Sequence, residues 1–585
     1  MFLIRLSFLV SLFFLNSFTT RASVWPKDGA KLNATFVYLE EEIQDKAVSY
    51  ELTVYKGQNG KSLVSTINSA LPSGHLSGLD WNTQYVWIVK AFDGNKNLIH
   101  TSSEHNFTIE KYLVSFQQAE ETNIKIKVNN KEKNAGGFIG IDHIRGFVNR
   151  EGQPVWQIPN IARFTDDETL FRDIKITEDN TVTFLTPEKG IEISLDGEIL
   201  WSTPAPFVFK KDTVMYHHEF QKTPRGTYMI LANRKVKRPM PGQYKPEQIK
   251  YNSEISVVNG VVYKKTQMTV LLEFDKTGKL IWFWDADTYI VQADLMTKKY
   301  PNGMPVFSTH SNAFCESKDE KFIYVSFRDI SRVVKIDKKT KQVMKAYGEN
   351  FTSAKGMVAT NDFRRQHDGT LTDRGTLLIF DNSEQLNETD SPVSSFIEMK
   401  ENPGPKDSAV IWRFPMNFDK DMTFPFSSGG GNMVELPNSN FLLCAGVLNR
   451  VVEISRDKEI VWDAIPLMKL KNQTQQGWKP FPQYRCSWAP AFKDYHFFVS
   501  LKDSVQKDML YISISNSGSA DDSYKVELIA GEKVLSALTS VTVLSQANVL
   551  QALQIKPAQA GLKNLSVRIT SSHDKRIMQV VKIKE

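Results

Sequence analysis

Three histidines hold one repeated place in this chain. His218 opens HEFQKTPRGTYMILAN and His367 opens HDGTLTDRGTLLIF, and in each a glycine follows eight residues later, in the turn between two strands. His310 opens a third version, HSNAFCESKDEKFIYVS, with a slightly longer turn. With only 10 histidines in the whole sequence, such placement points to imidazoles gathered at one structural level. A neutral imidazole offers an unprotonated ring nitrogen near pH 7, able to take a proton or to form a covalent intermediate. Asn312 lies two residues beyond His310 on the same strand face, and Arg328 ends the partner strand in YVSFRDIS. Together they form a set suited to holding and moving an anionic group. His217 competes with His218 for the inward-facing place, because a bulge in the strand exchanges its faces.

The elements that must position these residues also repeat. A strand, a polar turn and a strand ending in tryptophan recur as GFVNREGQPVW (146–156), GIEISLDGEILW (190–201), LLEFDKTGKLIW (271–282) and VVEISRDKEIVW (451–462). VVKIDKKTKQVMKAY (333–347) and DSAVIW (407–412) are variants. After each copy comes a second hairpin, beginning near Phe171, His218, His310, His367, Asn432 and Cys486. Six units of four strands predict a six-bladed β-propeller. Its leading strands would line a central channel, with alternate side chains pointing inward, so the histidines converge there while Glu219, Ser311 and Asp368 face the neighbouring sheets. The first outer hairpin has no inner hairpin before it, and the last inner hairpin, CSWAPAFKDYHFFVSL (486–501), has no outer one after it. Residues 138–157 should therefore complete the blade begun near Cys486. Long connections at 234–265, 285–306 and 383–408 are expected to cover one mouth of the channel.

Around this core the pattern is again strand and turn, so the expected class is all-β throughout. Residues 24–111 read as an N-terminal β-sandwich, fibronectin III-like in WNTQYVWIVKAFDGNKN, residues 112–503 as the propeller, and 504–585 as a C-terminal Ig-like sandwich. Residues 1–23, with an early arginine, an apolar run and small residues at Ala22 and Ser23, read as a secretory signal peptide. An exported protein, periplasmic or secreted, is expected, with no membrane span elsewhere. The net charge of +6 is spread along the chain, without the basic clusters that a nucleic-acid partner requires. Cys315, Cys444 and Cys486 have no metal-like spacing. No metal or other cofactor is expected, and the sequence leaves the oligomeric state open, a homo-oligomer included.

HHEF at 217–220, HSN at 310–312, an arginine eighteen residues after His310 and QHDG at 366–369 together resemble the bacterial arylsulfate sulfotransferase family. The resemblance spans roughly residues 24–500 and implies transfer of a sulfuryl group from a phenolic sulfate ester to a phenol, independent of a nucleotide sulfate donor. It implies that His367 is the nucleophile and is transiently sulfated in a ping-pong cycle. Some members carry a short-loop disulfide just before that histidine; none of the three cysteines here fits that place. Physical chemistry assigns the remaining parts. His310, Asn312 and Arg328 can hold the oxygens of the transferring group, and His218 can give a proton to the departing phenoxide or take one from the incoming phenol. The alternatives are a metal-dependent ester hydrolase, against which Arg328 beside the histidines argues, and a non-catalytic propeller binding sulfated ligands.

Overall fold

A computed structural model of the chain describes residues 24–583, apart from 58–61, 115–118, 162–168, 241–254, 298–307, 349–356, 360–361, 384–392, 403–408, 419–425, 471–476, 502–508 and 556–564. The expected signal segment and parts of the three long connections thus lie outside the described residues. The class is all-β: strands dominate, and Gln292–Thr297 is the one α-helix among the described residues.

Six sheets share a four-strand antiparallel core. Five of them are continuous in sequence and are led by Arg172–Ile176, Met215–Lys222, Ser311–Glu316, His367–Leu371 and Asn432–Glu435. The sixth is assembled from both ends of the region: Pro154–Gln157, Gly146–Val148 and Phe138–Ile141 in order, then Cys486–Ala489. The leading strands neighbour one another in chain order, and Cys486–Ala489 returns beside Arg172–Ile176, so the order of neighbours is cyclic. Each neighbouring pair of sheets shares an apolar core. Trp201 and Leu185 of the first sheet pack with Phe220, Ile230 and Leu272 of the second, and Trp284 and Leu271 of the second pack with Phe314, Val325 and Val334 of the third.

Two sets of polar bonds stitch these sheets together. On the outer side, tryptophans that end a sheet donate their indole N–H to a carbonyl of the next: Trp156 to Leu195 at 2.8 Å, Trp282 to Lys338 at 2.8 Å, Trp412 to Arg456 at 2.9 Å and Trp462 to Arg150 at 2.8 Å. The recurrent aromatic is thus both core filling and a peg, its one donor spent across the interface. On the inner side, a side chain of one leading strand or its flank bonds the backbone of the next. Asp142 accepts from the amides of Asp173 and Ile174, Asp173 from Phe220, Glu219 from Phe314 and Asp368 from Met433. Asn312 donates to the Gln366 carbonyl, and Asn432 pairs with both backbone groups of Cys486. Buried backbone groups that face no strand partner are satisfied in this way.

Three expectations are revised. Phe497–Leu501 pairs with Met509–Asn516 in the C-terminal region, not with Cys486–Ala489; the sixth sheet closes three strands against one because Phe138–Ile141 supplies the second strand. At its described ends the connection at 234–265 continues two strands, which pair from Tyr228 opposite Phe274 out to Pro239 opposite Tyr263. Within 383–408, Ser395–Lys400 is a regular third strand of the fourth sheet, hidden in sequence because five of its six residues are buried and no alternation shows. Sequence reading also gave no sign of Ala119–Asn129, which joins the outer edge of the fifth sheet along Ile460–Leu470.

The flanking regions have cores of their own. Leu52, Tyr85, Trp87 and Phe107 centre one within 24–111; Ile512, Tyr524, Leu528 and Ile569 centre the other.

Candidate active site

The leading strands are irregular where the histidines sit. Register shifts fall between Tyr216 and Phe220, between Ser311 and Ala313, and between His367 and Thr370. His218, His310 and Asp368 take φ values of 60°, 44° and 66°, a left-handed conformation that ordinary residues reach mainly at bulges. The bulge removes the choice between His217 and His218: both imidazoles lie together, their Nδ1 atoms 2.7 Å apart. Only one proton fits between them, so one ring donates and the other accepts. The His218 ring centre is 5.1 Å from that of His310 and 5.7 Å from that of Tyr484, and Tyr484 lies 6.2 Å from His367. The structure therefore brings His217 and His310 against His218, and Tyr484 against both His218 and His367.

His367 is almost wholly buried, and its tautomer is fixed by its neighbours. Asn382 donates its amide nitrogen to the carbonyls of Ser427 at 2.8 Å and Gly430 at 3.3 Å, which leaves its Oδ1 facing His367 Nδ1 at 2.7 Å. Nδ1 must then carry the proton, and Nε2 the lone pair. The Gly430 N–H, 3.3 Å from Nε2, points a donor at that lone pair. Burial pushes the His367 pKa down to about 3; the Asn382 bond opposes this, while Arg328, His310 and Arg485 add to it. His217 is likewise pushed down to about 3, chiefly by burial and then by His310. His218 falls well below the ordinary value, through burial first and then the other three histidines and Arg172. His217, His218 and His367 are therefore neutral imidazoles at pH 7.

Arg328 donates to Asp329 Oδ1 at 2.9 Å and to the Ser428 carbonyl at 3.2 Å. Asp329 also meets Arg365 at 3.3 Å and His310 Nδ1 at 3.6 Å. Burial would raise the Asp329 carboxyl, but His310, Arg328 and Arg365 hold it below its usual value. Two guanidinium groups meet this one carboxylate beside His310, whose side chain is 37% exposed. Asn312 is fully buried; besides its 2.7 Å bond to Gln366, its Oδ1 has no hydrogen-bond partner among the described residues.

Beneath the histidines lies an ionic layer. Arg485 donates to Asp173 at 2.9 Å and to the Asn312 carbonyl at 2.5 Å, and stands 3.2 Å from Glu219; Lys175 bridges Asp173 and Glu219. Burial would raise the Glu219 carboxyl, yet Arg485 and Lys175 drive it down. Beside His367, Cys315 takes the part expected of a crosslink. Its thiol accepts from the Leu371 amide at 3.1 Å and donates to the Gly369 carbonyl at 3.4 Å, pinning the bulged strand that carries the histidine.

Asn382, Asp329, Arg172 and Arg485 were not foreseen. For Arg172 a signal existed: Arg172-Asp173, His218-Glu219 and His367-Asp368 each set a carboxylate after the residue in question, and each carboxylate accepts from the next sheet's backbone. Asn382 gave no such signal, since it reaches His367 only through the pairing of His367 with Phe380. Among the described residues no three His, Cys, Asp or Glu side chains come together as a metal-ligand set. No described helix is long and apolar enough to cross a membrane.

Comparison with known proteins adds the family. No curated protein matches the chain. Among solved structures it is similar to a protein of unknown function from Bacteroides caccae, at 12% identity over 62% of this chain and 97% of that one, TM-score 0.33. A second is dihydro-heme d1 dehydrogenase NirN, at 10% identity over 66% and 72%, TM-score 0.26. Both likenesses are too distant to bear on fold or chemistry. The family model for arylsulfotransferase (ASST) matches residues 117–463, a span that holds all four histidines, Asn312, Arg328 and Asn382. With more than half of its length inside that match, the chain belongs to the arylsulfotransferase (ASST) family.

Proposed function

We propose that this protein moves a sulfuryl group from a phenolic sulfate ester to a phenol through a sulfated His367, without a nucleotide sulfate donor. The observation that carries the reading is the His367 tautomer: a buried imidazole whose Nδ1 proton is committed to Asn382 presents an Nε2 lone pair to a site with cationic charge beside it. We read the six sheets as blades of a propeller around this site, flanked by two sandwiches, and the chain as exported.

In the first half-reaction Nε2 gives up the Gly430 N–H and attacks sulfur. The N–S bond forms as the S–O bond to the aryl group breaks, and that electron pair leaves on the phenoxide. Arg328 and His310 stabilise the charge spread over the sulfuryl oxygens. His218, neutral in the empty site, holds a proton when the anionic donor is bound beside it, and passes it to the phenoxide. In the second half-reaction an incoming phenol loses its proton to His218 as its oxygen attacks sulfur, and the N–S electron pair returns to Nε2. Each cycle restores the proton to His218, and the balance is one aryl sulfate and one phenol in, one phenol and one aryl sulfate out. His217, bonded to His218 through Nδ1, fixes which nitrogen of His218 faces substrate.

The test is kinetic and chemical. Initial rates with varied donor and acceptor should give parallel double-reciprocal lines, and intact-mass analysis after rapid quench with donor alone should place a sulfuryl adduct on the peptide containing His367. An adduct elsewhere, or steady turnover by His367→Ala, removes His367 from the mechanism.

A further inference from the structure

We propose that Arg172 is an anion-recognition subsite for the phenolic acceptor, selecting acceptors whose ring bears a carboxylate or a comparable anionic substituent. The proposal rests on the transfer reading above and adds a specificity to it.

The first argument is positional. On two leading strands the carboxylate that reaches the next sheet is preceded by a residue of the central cluster, His218 before Glu219 and His367 before Asp368. Arg172 precedes Asp173, which makes the same kind of bond to Phe220. The strand carrying it shifts register between Arg172 and Lys175, and Asp173 has φ 59°, as in the strands that carry histidines. Arg172 thus holds in the first sheet the place that imidazole holds in the second and fourth.

The second argument is charge. Buried or half-buried arginines are normally spent on carboxylates, and here Arg485, Arg332, Arg150 and Arg450 are paired with Asp173, Asp294, Glu453 and Asp463. Arg172, half-buried, has no carboxylate and no hydrogen-bond acceptor among the described residues, and its Nε is shut off from solvent without a partner. Its guanidinium lies 5.1 Å from the centre of the Tyr484 ring. That cation–π contact supplies only part of what a desolvated guanidinium loses. An anion with two oxygens would supply the rest, in the bidentate geometry that arginine favours.

The third argument is direction. Arg172 is among the charges that act on His217, His218 and Tyr484. It therefore sits beside the two histidines placed for proton transfer and against the Tyr484 ring, within reach of a ring substituent on an acceptor whose hydroxyl meets His218. A second sulfuryl holder would be expected beside Arg328.

The experiment compares phenol with 3-hydroxybenzoate as acceptors at one fixed aryl sulfate donor. The native protein should favour 3-hydroxybenzoate in kcat/KM. In Arg172→Gln that preference should fall by roughly tenfold or more, the worth of one charged hydrogen-bonded contact, and the loss should appear in KM rather than kcat. Arg172→Lys should recover part of it, keeping charge without the planar fork. A native preference for phenol, or a ratio unchanged by Arg172→Gln, overturns the proposal. Titration calorimetry of both acceptors against native protein and Arg172→Gln reads the subsite independently of turnover. Weaker binding of 3-hydroxybenzoate alone in the variant sustains it even if no transfer is seen, in which case the transfer reading is what fails.

Discussion

At the scale of single residues, the site is governed by which nitrogen of His367 is free. Asn382 settles this without carrying any charge, so its removal should act on tautomer and orientation rather than on binding. Asn382→Leu is expected to lower kcat by about 10- to 100-fold, the worth of one buried hydrogen bond on the reacting ring, and, by leaving the Ser427 and Gly430 carbonyls unpaired, to lower the unfolding midpoint as well. The pH profile gives a sharper reading. Protonation of Nε2 abolishes nucleophilicity, and the folded pKa is near 3. With a donor whose phenol is acidic enough to leave without a proton from His218, kcat/KM should therefore stay level as pH falls from 7 and bend only as pH nears 3, instead of near the ~6.5 of free imidazole. Asn382→Asp places a carboxylate on Nδ1, favours the imidazolium, and should move the acid limb to higher pH. An unmoved limb would show that another group sets it.

At the scale of the strand, the bulges explain both what sequence reading reached and what it missed. Equivalence of His218 and His367 was legible because turn glycines and apolar partner strands repeat around them. The bulges themselves were not, since a register shift leaves no compositional mark; with them went the joint presence of His217 and His218. Asn382 was out of reach too, being near the site only through pairing across sequence. Cys315 shows how the fold holds a bulge without a covalent link. Cys315→Ala should cost roughly 1–3 kcal/mol of stability, by leaving the Leu371 amide and Gly369 carbonyl unpaired, and should lower kcat because the strand under His367 loosens. Cys315→Ser keeps a donor and an acceptor and should retain most of both. Urea melts and donor turnover on the two variants check this, and equal behaviour of Ala and Ser would refute the pinning role.

At the scale of the whole molecule, the sixth sheet joins the two ends of the cyclic arrangement, and glycines permit the approach. Gly137, at φ 69°, has no room for a Cβ, which would stand 2.4 Å from the Ala489 carbonyl and 2.8 Å from Trp488 Nε1. Gly136 has a similar φ of 62° and open space around it. Gly136→Ala should cost only the backbone strain of about 1 kcal/mol, whereas Gly137→Ala should cost clearly more and lower the unfolding midpoint further. Equal midpoints would mean that the junction contributes little. The three-to-one make-up of that sheet also sets a schedule. The bond from Trp488 to the Gly136 carbonyl joins residues 352 apart in sequence, so Phe138–Ile141 emerges among the first strands of the region and waits for almost the last. Throughout that wait an edge of unpaired amides and carbonyls, backed by Ile139 and Ile141, is open to any passing strand. A chain halted or clipped before Ser487 is then an open spring that captures its neighbours, and the cell that makes this protein has to shield that edge for as long as synthesis runs.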